Sequence, residues 1–340
     1  MEVNPAAGRR AGARGRTSSP MPRSAIKPPR LARGQTIGLV SPAGPTAAGA
    51  ATTPETLEKA RARLGEEGFR TIVAPHALET RGYLAGTDAG RAADLRAMFA
   101  DPDVHAVMCI RGGYGAMRTL AALDYDLVRR HPKVFIGYSD ITALHLAFHH
   151  RAGIVTFHGP MAHAVAQADG HDLAHLLRAV TGAAPLGPLA NPPGGPTVET
   201  LVPGAAEGVL IGGNVALLAS LLGTPYLPGF DGALLFLEDI IDHPYQLDRN
   251  LVQLRLAGVL DAAAGIVIGE CRLRAERPAT AGPTLSIREV LDDVIVPLGK
   301  PAIYGLACGH GTYHLTLPIG VRARLNATQG ALSIEEAAVA

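Results

Sequence analysis

The alternation of apolar runs with amphipathic helical patterns is the feature that most constrains the fold of this chain. From residue 35 to residue 158, short runs such as "TIGLV", "VHAVMCI" and "KVFIG" alternate with helix-like stretches such as "PETLEKARARLGEEG". A strand that is apolar at successive residues is buried on both faces, and a helix between two such strands connects them in parallel. The pattern therefore predicts βαβ units and a mainly parallel sheet.

A change in composition divides the chain. Proline and glycine crowd together in "TGAAPLGPLANPPGGPTVETLVPGAAEG", and helical periodicity is lost there. Such a stretch is typical of an interdomain linker, and 340 residues are enough for two hydrophobic cores. We predict an N-terminal α/β domain over 34–165, a linker over 166–206 and a second, more β-rich α/β domain over 207–335.

The first 33 residues are rich in Arg, Pro, Gly and Ser, and we expect a disordered basic tail over 1–33. Arg9 and Arg10 form a twin-arginine pair, but no apolar stretch follows them. The sequence therefore supports neither an export signal nor a membrane span. Met21 is an alternative start of the chain.

Composition limits the partners. The net charge is +1, with 47% hydrophobic and 18% charged residues, so the chain has no overall field that would attract nucleic acid or an anionic membrane. Partners must therefore be recognised locally, and we expect neither nucleic acid nor a membrane among them. Three scattered cysteines without CxxC spacing argue against a disulfide framework and a cysteine zinc site, and they predict a reducing, cytoplasmic compartment: Cys109, Cys271 and Cys308.

The stretch "KVFIGYSDIT", residues 133–142, begins as a buried strand and ends as a helix, with Ser139 at the junction. A side chain at such a turn, on the carboxyl edge of a parallel sheet, projects into the crevice where open α/β sheets bind ligands. The following backbone N–H groups point the same way, which suits an oxyanion. Ser139 is therefore a candidate nucleophile. In the alternative interpretation, Ser139 or Asp140 only caps the helix.

A serine nucleophile needs a base within hydrogen-bond distance and an acid that orients the base. In "ALLFLEDI", Glu238 and Asp239 follow five apolar residues and are expected at the carboxyl end of a buried strand. In "GLACGHGTYH", small residues surround His310 and leave room for an imidazole, with His314 as the rival base. An ordinary cap or a surface ion pair is the alternative role for the acid.

The glycine-rich turn "IRGGYG", residues 110–115, is a second candidate element. Its glycines permit positive φ and close backbone approach, so the N–H groups of Gly112, Gly113 or Tyr114 are candidate donors to an anion or an oxyanion. Arg111 adds a fixed charge that can clamp a carboxylate bidentately. A tight structural turn is the alternative interpretation.

No convincing metal site emerges from the sequence. His145 and His149 share one helix face at metal-ligand spacing, but "HLAFH" lacks the Glu of a zincin motif and no third ligand is evident. We interpret them as histidines near the end of a helix dipole and expect neither a metal nor a cofactor.

Taken together, the chain resembles the LD-carboxypeptidase family of serine peptidases, which also includes the microcin C immunity proteins. The resemblance extends from about residue 34 to residue 330 and depends on seven blocks in the family's order. These blocks are "GLVSPAGP", "IRGGYGAMR", "FIGYSDITAL", "TFHGPM", "GGNVALLASLLGTPYLP", "LFLEDIIDHPYQLDRNLVQLRLAG" and "CGHGTYHLTLPIG".

The resemblance implies a triad of Ser139 as nucleophile, Glu238 as orienting acid and His310 as general base. It also implies oxyanion donors at the backbone N–H groups of Asp140 and Gly113. We add Arg111 and Tyr114 as candidate substrate-binding residues. A flavodoxin-like parallel-sheet N-terminal domain, a swivelling β/β/α-type C-terminal domain, a homodimer and an absence of metal are further expectations from the family.

Two substrate classes follow from the resemblance. One is a murein tetrapeptide, cleaved between an L-centre and a terminal D-amino acid during peptidoglycan recycling. The other is an aminoacyl-nucleotide antibiotic, for which Tyr114 and Tyr138 are the nearest aromatic side chains in a chain with 4% aromatics and no Trp. A third hypothesis is a non-catalytic small-molecule binding protein in which Ser139 caps a helix.

Overall fold

The computed structural model describes residues 25–46, 52–167, 171–275 and 282–340. Its first part alternates strands and helices, as the apolar pattern predicts. The strands are β1 (Thr36–Val40), β2 (Arg70–Val73), β3 (Ala106–Cys109), β4 (Val134–Gly137) and β5 (Thr156–His158). The helices are α1 (Pro54–Glu66), α2 (Asp88–Ala100), α3 (Tyr125–Arg130), α4 (Thr142–Ala147), α5 (Ala162–Val165) and α6 (His171–Thr181), with 3-10 turns at Ala116–Ala122 and Ser139–Ile141 and a π turn at Phe148–Ala152.

The five strands pair in parallel in the order β5-β4-β3-β1-β2. This is the flavodoxin-like order, in which the chain reverses direction across the sheet between β1 and β3. Every residue of β1, β3, β4 and β5 is buried, because helices cover both faces of the sheet. The predicted flavodoxin-like domain is confirmed.

The second part is richer in strands. They are β6 (Gly187–Leu189), β7 (Glu199–Val202), β8 (Ala205–Asn214), β9 (Leu234–Ile241), β10 (Gly265–Leu273), β11 (Ala302–Gly309), β12 (Leu317–Ile319), β13 (Arg322–Asn326) and β14 (Ala331–Ile334). The helices are α7 (Val215–Leu221), α8 (Pro244–Leu256), α9 (Val259–Ala262) and α10 (Ile287–Val294), with 3-10 turns at Val296–Leu298 and Ala327–Gln329.

Among the described residues, eight strands form the second sheet, in the order β6-β14-β13-β8-β9-β10-β11-β7. Its centre, from β8 to β11, is parallel, and the strands on either side are antiparallel. Both parts are therefore α/β, and the two-domain α/β fold is confirmed. The carboxyl ends of β9 and β11 belong to this sheet, and those of β3 and β4 belong to the first.

The two sheets share chain segments in a way that the sequence does not indicate. Strand β12 leaves the second part of the chain and pairs antiparallel with β5, on the edge of the first sheet. The segment 166–206, predicted as a linker, contains helix α6 and contributes β6 and β7 to opposite edges of the second sheet. Strand β12 thus connects the second part of the chain to the first sheet through backbone pairing.

The prediction of a disordered tail over 1–33 is wrong for its last nine residues, whereas 1–24 lie outside the described part. Ile26 forms a parallel bridge with Ile154, and its N–H donates to the Gly153 carbonyl at 2.7 Å. Leu31 is buried, and its N–H donates to Val180 at 2.8 Å. Two apolar side chains and these backbone bonds suffice to order a segment of otherwise tail-like composition.

In the ranges that the structure describes, no helix is both long enough and apolar enough to span a bilayer.

Candidate active site

Ser139 follows the carboxyl end of β4, at the start of the 3-10 turn that leads into α4. Its φ is +64°, and it is the only non-glycine residue with positive φ in the described part of the chain. A left-handed backbone at a non-glycine residue costs about 1 to 3 kcal/mol and is concentrated at functional sites. Neither the 3-10 turn nor α4 has a side-chain cap, so the helix-capping interpretation of Ser139 does not describe this structure.

Three predicted residues from distant parts of the sequence meet at this turn. The Oγ of Ser139 lies 3.0 Å from Nε2 of His310, and Nδ1 of His310 lies 2.7 Å from Oε2 of Glu238. A serine hydroxyl that contacts an imidazole, which in turn contacts a carboxylate, is the arrangement found in catalytic triads. The imidazole lies between the other two groups and contacts each through a different nitrogen.

His310 follows the carboxyl end of β11. Steric crowding explains why the residue before it is a glycine. Gly309 has φ +115°, and a Cβ there would lie 2.7 Å from Oε2 of Glu238. Glycine therefore lets the strand end approach the carboxylate. The sequence prediction that small residues make room for the imidazole agrees with this packing.

Glu238 is fully buried and lies inside β9, which continues to Ile241, rather than beyond the strand end. Its Cα pairs with Asn214 of β8. The neighbouring strand β10 is irregular at the same level, with a register shift between Ile268 and Cys271. The carboxylate thus projects from the middle of the sheet, next to the buried His158 and the part-buried His310.

The pair of Glu238 and His310 shifts the ionisation of both groups. Burial opposes a charge on Glu238, but the nearby His310, with His158, outweighs it and lowers the pKa of Glu238 overall. Burial likewise opposes a charge on His310, and the Glu238 carboxylate outweighs that effect and raises the pKa of His310. The carboxylate therefore strengthens His310 as a base.

The rival residues have other partners. Asp239 accepts hydrogen bonds from Asn214 Nδ2 at 2.8 Å and from the Ala216 N–H at 3.1 Å, so it holds the start of α7. His314 is buried and its Nε2 lies 3.3 Å from Nδ1 of His158. Glu238 and His310, not Asp239 and His314, are thus the acid and the imidazole in line with Ser139.

The glycine-rich turn follows β3, the strand next to β4, and comes very close to Ser139. A Cβ on Gly112 would lie 3.0 Å from Cβ of Ser139, so only glycine permits this approach without a shift. Gly113 has φ +119°. The turn is fixed by Asp140, whose carboxylate accepts the Ala116 N–H at 2.7 Å. Burial raises the pKa of Asp140 to about 6, although the backbone N–H groups that it accepts act in the opposite direction.

The two proposed substrate-binding residues lie on this same turn. Arg111 is half-buried, its Nη1 donates to the Pro45 carbonyl at 3.3 Å, and no ion pair joins it to a carboxylate of the described residues. Burial lowers the pKa of Arg111. Tyr114 is 54% exposed, and its ring packs edge-to-face against the exposed Tyr83 at a centroid distance of 5.5 Å.

The histidines at helical metal spacing do not form a metal site. His145 is fully buried with Nε2 2.8 Å from the Gly137 carbonyl, and burial lowers its pKa to about 3. His149 is also buried. In the part of the chain that the structure describes, one group has three candidate ligand atoms within 4.8 Å of one another: His158, Cys308 and His314.

Sequence reasoning missed His158, which lies behind Glu238. Its Nε2 is 3.7 Å from Oε1 of Glu238, and both side chains are fully buried. The available signal was the position of "TFHG" at the carboxyl end of β5, the neighbour of β4. Because the carboxyl ends of neighbouring parallel strands lie together, this position predicts that His158 lies close to Ser139.

Two family models match the chain: the LD-carboxypeptidase N-terminal domain at residues 37–159 and the LD-carboxypeptidase C-terminal domain at residues 207–325. A Bacillus subtilis protein named "Probable murein peptide carboxypeptidase" is 41% identical over 318 residues, which cover 91% of this chain and 94% of that protein. The murein tetrapeptide carboxypeptidase of Pseudomonas aeruginosa is 31% identical over 308 residues, covering 85% and 92%.

A solved structure of the microcin C7 self-immunity protein MccF, in complex with glutamyl sulfamoyl guanosine, superposes with a TM-score of 0.84. It is 25% identical in sequence and covers 92% of this chain and 99% of that chain. MccF of Escherichia coli is 28% identical over 337 residues, which cover 90% of this chain and 94% of MccF.

Proposed function

The chain belongs to the LD-carboxypeptidase family of serine peptidases, and we propose that it hydrolyses the amide bond between an L-centre and a C-terminal D-amino acid in murein tetrapeptides. The observation that carries the proposal is the line from Ser139 Oγ through His310 to Glu238, with contacts of 3.0 and 2.7 Å. Relatives that are named for murein peptides and cover most of this chain support the substrate class.

In the proposed reaction His310 is the general base. Its Nε2 takes the proton of Ser139 Oγ as the oxygen attacks the scissile carbonyl carbon. The same nitrogen then gives this proton to the leaving amine of the D-amino acid, and the acyl group stays on Ser139. A water molecule that loses a proton to His310 hydrolyses the acyl-enzyme and restores the serine. Glu238 accepts the Nδ1–H bond throughout and stabilises the imidazolium.

The tetrahedral intermediate needs donors for its oxyanion. We assign this role to the backbone N–H groups of Asp140 and Gly113. The assignment is supported by the close approach of the glycine turn to Ser139, since a Cβ on Gly112 would lie 3.0 Å from that of Ser139. The Asp140 carboxylate has a separate role, because it holds the turn through the Ala116 N–H.

We assign Arg111 to the terminal carboxylate of the substrate. A carboxypeptidase must distinguish a free carboxylate from an internal amide, and a guanidinium does so through paired charge-assisted hydrogen bonds. The half-buried position of Arg111 and the absence of an ion pair with any described carboxylate support this role. Tyr114, next to Gly113, is assigned to the mouth of the site.

An immunity hydrolase that cleaves an aminoacyl-nucleotide antibiotic is the alternative function. It is favoured by the exposed aromatic pair of Tyr83 and Tyr114 beside the glycine turn, because exposed rings offer a stacking surface to a nucleobase. The likeness to MccF with a bound aminoacyl sulfamoyl nucleoside also supports it. A non-catalytic binding protein is the third candidate and predicts binding without turnover.

One experiment distinguishes these functions. The purified protein is incubated in parallel with a D-Ala-terminated murein tetrapeptide and with an aminoacyl-sulfamoyl adenosine, and kcat/KM is measured for both. We expect release of D-Ala with the higher kcat/KM. Faster cleavage of the sulfamoyl adenosine would establish the immunity function, and binding of either compound without turnover would establish the non-catalytic one.

We further propose a homodimer in the reducing cytoplasm. Tyr245, Val252 and Leu256 are exposed on one face of α8, and Leu256 is 85% exposed, which supports an apolar contact between copies. The three free, buried thiols are consistent with a reducing compartment. Light scattering on the wild type and on Leu256→Glu tests the dimer, since a charge there should shift the mass toward the monomer. If the mass of Leu256→Glu equals that of the wild type, this face of α8 is not the dimer interface.

A further inference from the structure

The second oxygen of Glu238 lacks a hydrogen bond from any described residue, although the site is fully buried. Oε2 contacts His310, whereas Oε1 has no partner within hydrogen-bond distance in the described part of the chain. Nε2 of His158 lies 3.7 Å from Oε1, and it too is buried and has no hydrogen-bond partner among the described residues. A buried carboxylate oxygen that is left without a donor is costly, and so is a buried ring nitrogen without a partner. The two unpartnered atoms face each other.

The other side of His158 determines which nitrogen carries its proton. Nδ1 of His158 lies 3.3 Å from Nε2 of His314 and 3.6 Å from Sγ of Cys308. A proton on Nδ1 would leave the lone pair of Nε2 directed at the carboxylate, which is repulsive. A proton on Nε2 makes His158 a donor to Glu238, and Nδ1 can then accept from His314. Of the two neutral tautomers, only the second satisfies Oε1.

We propose that His158 is a positioning residue of the active site, whose Nε2–H donates to Oε1 of Glu238 and holds the carboxylate in line with His310. A small rotation of the imidazole or of the carboxylate closes the gap to hydrogen-bond distance. His314 in turn donates to His158, so the two imidazoles form a chain of donors that ends at the Glu238 carboxylate. This inference rests on the proposed function in one respect, namely that Glu238 is the acid of the triad.

His158, Cys308 and His314 are also spaced like the ligands of a metal ion, because each offers one ligand atom within 4.8 Å of the others. A soft metal ion would require the thiolate of Cys308. The Sγ of Cys308 instead lies 3.2 Å from the Leu315 carbonyl, to which a protonated thiol donates. Burial also raises the pKa of this thiol well above its usual range. The geometry favours a hydrogen-bonded cluster.

The role of His158 has a measurable consequence for the pair of Glu238 and His310. Without a donor to Oε1 the carboxylate anion is less stable, and the pair holds its proton more tightly. His310 then becomes a free base only at higher pH. The titratable and charged groups that face His158 or His310 and also affect this pH dependence are Glu238, Asp239, Tyr138, His145, His163, Arg274, Cys308 and His314.

Two substitutions separate this role from packing. In His158→Gln the amide N–H can replace Nε2–H as donor, whereas His158→Phe fills the space without any donor. We expect His158→Phe to lower kcat about 10- to 100-fold with KM little changed, and to shift the acid limb of kcat/KM to higher pH. His158→Gln should restore most of both. A folded His158→Phe enzyme with wild-type kcat and pH profile would overturn the proposal.

Thr156→Val is the matched control. Thr156 lies on β5 with His158 and is fully buried, and its Oγ1 has no hydrogen-bond partner among the residues that the structure describes. This variant tests whether any change in the core of β5 affects the reaction. We expect a pH profile like that of the wild type. An equal shift of the acid limb in Thr156→Val and His158→Phe would contradict a specific role of His158.

A direct measurement is independent of activity and remains decisive if His158→Phe does not fold. Nitrogen-15 NMR of histidine-labelled protein, with His158 assigned from the spectrum of His158→Gln, reports which ring nitrogen is protonated. We expect the Nε2–H tautomer. The Nδ1–H tautomer, or stoichiometric zinc in the purified protein, would overturn the proposal. If the tautomer is as expected but Ser139→Ala remains active, the proposed function fails and the contact of His158 with Glu238 stands.

Discussion

His310 Nε2 lies 3.0 Å from Ser139 Oγ, although the two residues are 171 positions apart in the sequence. Ser139 follows a strand of the first sheet, and His310 follows a strand of the second. The site is therefore assembled only when the two sheets are docked, which the exchange of β12 into the first sheet favours. An active site between two domains is a common arrangement for a substrate pocket.

The two partners of Ser139 should differ in their effect on catalysis. We expect His310→Ala to lower kcat about 10⁶-fold and Glu238→Gln about 10⁴-fold, because the base transfers the proton, whereas the acid orients the base and stabilises its charged form without transferring a proton. Steady-state kinetics on a D-Ala-terminated tetrapeptide measure both. Wild-type activity of Glu238→Gln would contradict the assignment of the acid and direct attention to Asp239.

The pH dependence follows from the charge of His310. Its pKa is raised above the ordinary value of about 6.5, and only the neutral imidazole accepts the serine proton. As pH falls through the raised pKa, His310 becomes protonated and kcat/KM should fall, with a midpoint above 6.5. Glu238→Gln should move this midpoint downward, since the carboxylate raises the pKa. A wild-type midpoint below 6.5 would contradict this account.

Arg111 should matter for substrates with a free carboxylate. Arg111→Lys keeps the charge but loses the bidentate geometry, so we expect a loss of about 1 to 3 kcal/mol in transition-state stabilisation for the free acid. Cleavage of the same peptide amidated at its C-terminus is the control and should hardly change. Equal losses on both substrates, or a lowered melting temperature, would indicate a structural role at the Pro45 carbonyl instead.

Catalysis by the proposed triad requires no metal. We expect activity to survive exhaustive chelation with EDTA, measured as kcat/KM before and after dialysis, with metal content followed by mass spectrometry. Loss of activity that zinc restores would contradict the triad mechanism. The cluster of His158, Cys308 and His314 would then become the candidate ligand set.

Much of the fold was predictable because its signals are local. Apolar runs alternating with helical patterns predicted the parallel sheet, and the turn after β4 predicted that the Ser139 side chain projects into the crevice at the sheet edge. The demand for a base and an acid led to His310 and Glu238 as candidates, and the order of the sequence blocks then favoured them over His314 and Asp239. Each run, turn and block is a local signal, whereas the order of the blocks extends over most of the chain.

The remaining features depend on contacts between distant segments. Strand β12 has three residues and no periodicity, so its pairing with β5 could not be recognised. The helical pattern placed His145 and His149 near the end of a helix dipole, but it contains no information on the tertiary packing that buries both. The position of His158 behind Glu238 follows from the docking of the two sheets, which no local pattern records.

The most direct test of the central claim is the rate of D-Ala release from a murein tetrapeptide by Ser139→Ala, measured beside the wild type. We predict a fall in kcat of about 10⁶-fold, because removal of a triad nucleophile eliminates the covalent step. Substrate binding by calorimetry and the melting temperature should stay near the wild-type values. If Ser139→Ala retains a tenth of the wild-type activity, Ser139 is not the nucleophile and the proposed mechanism is wrong.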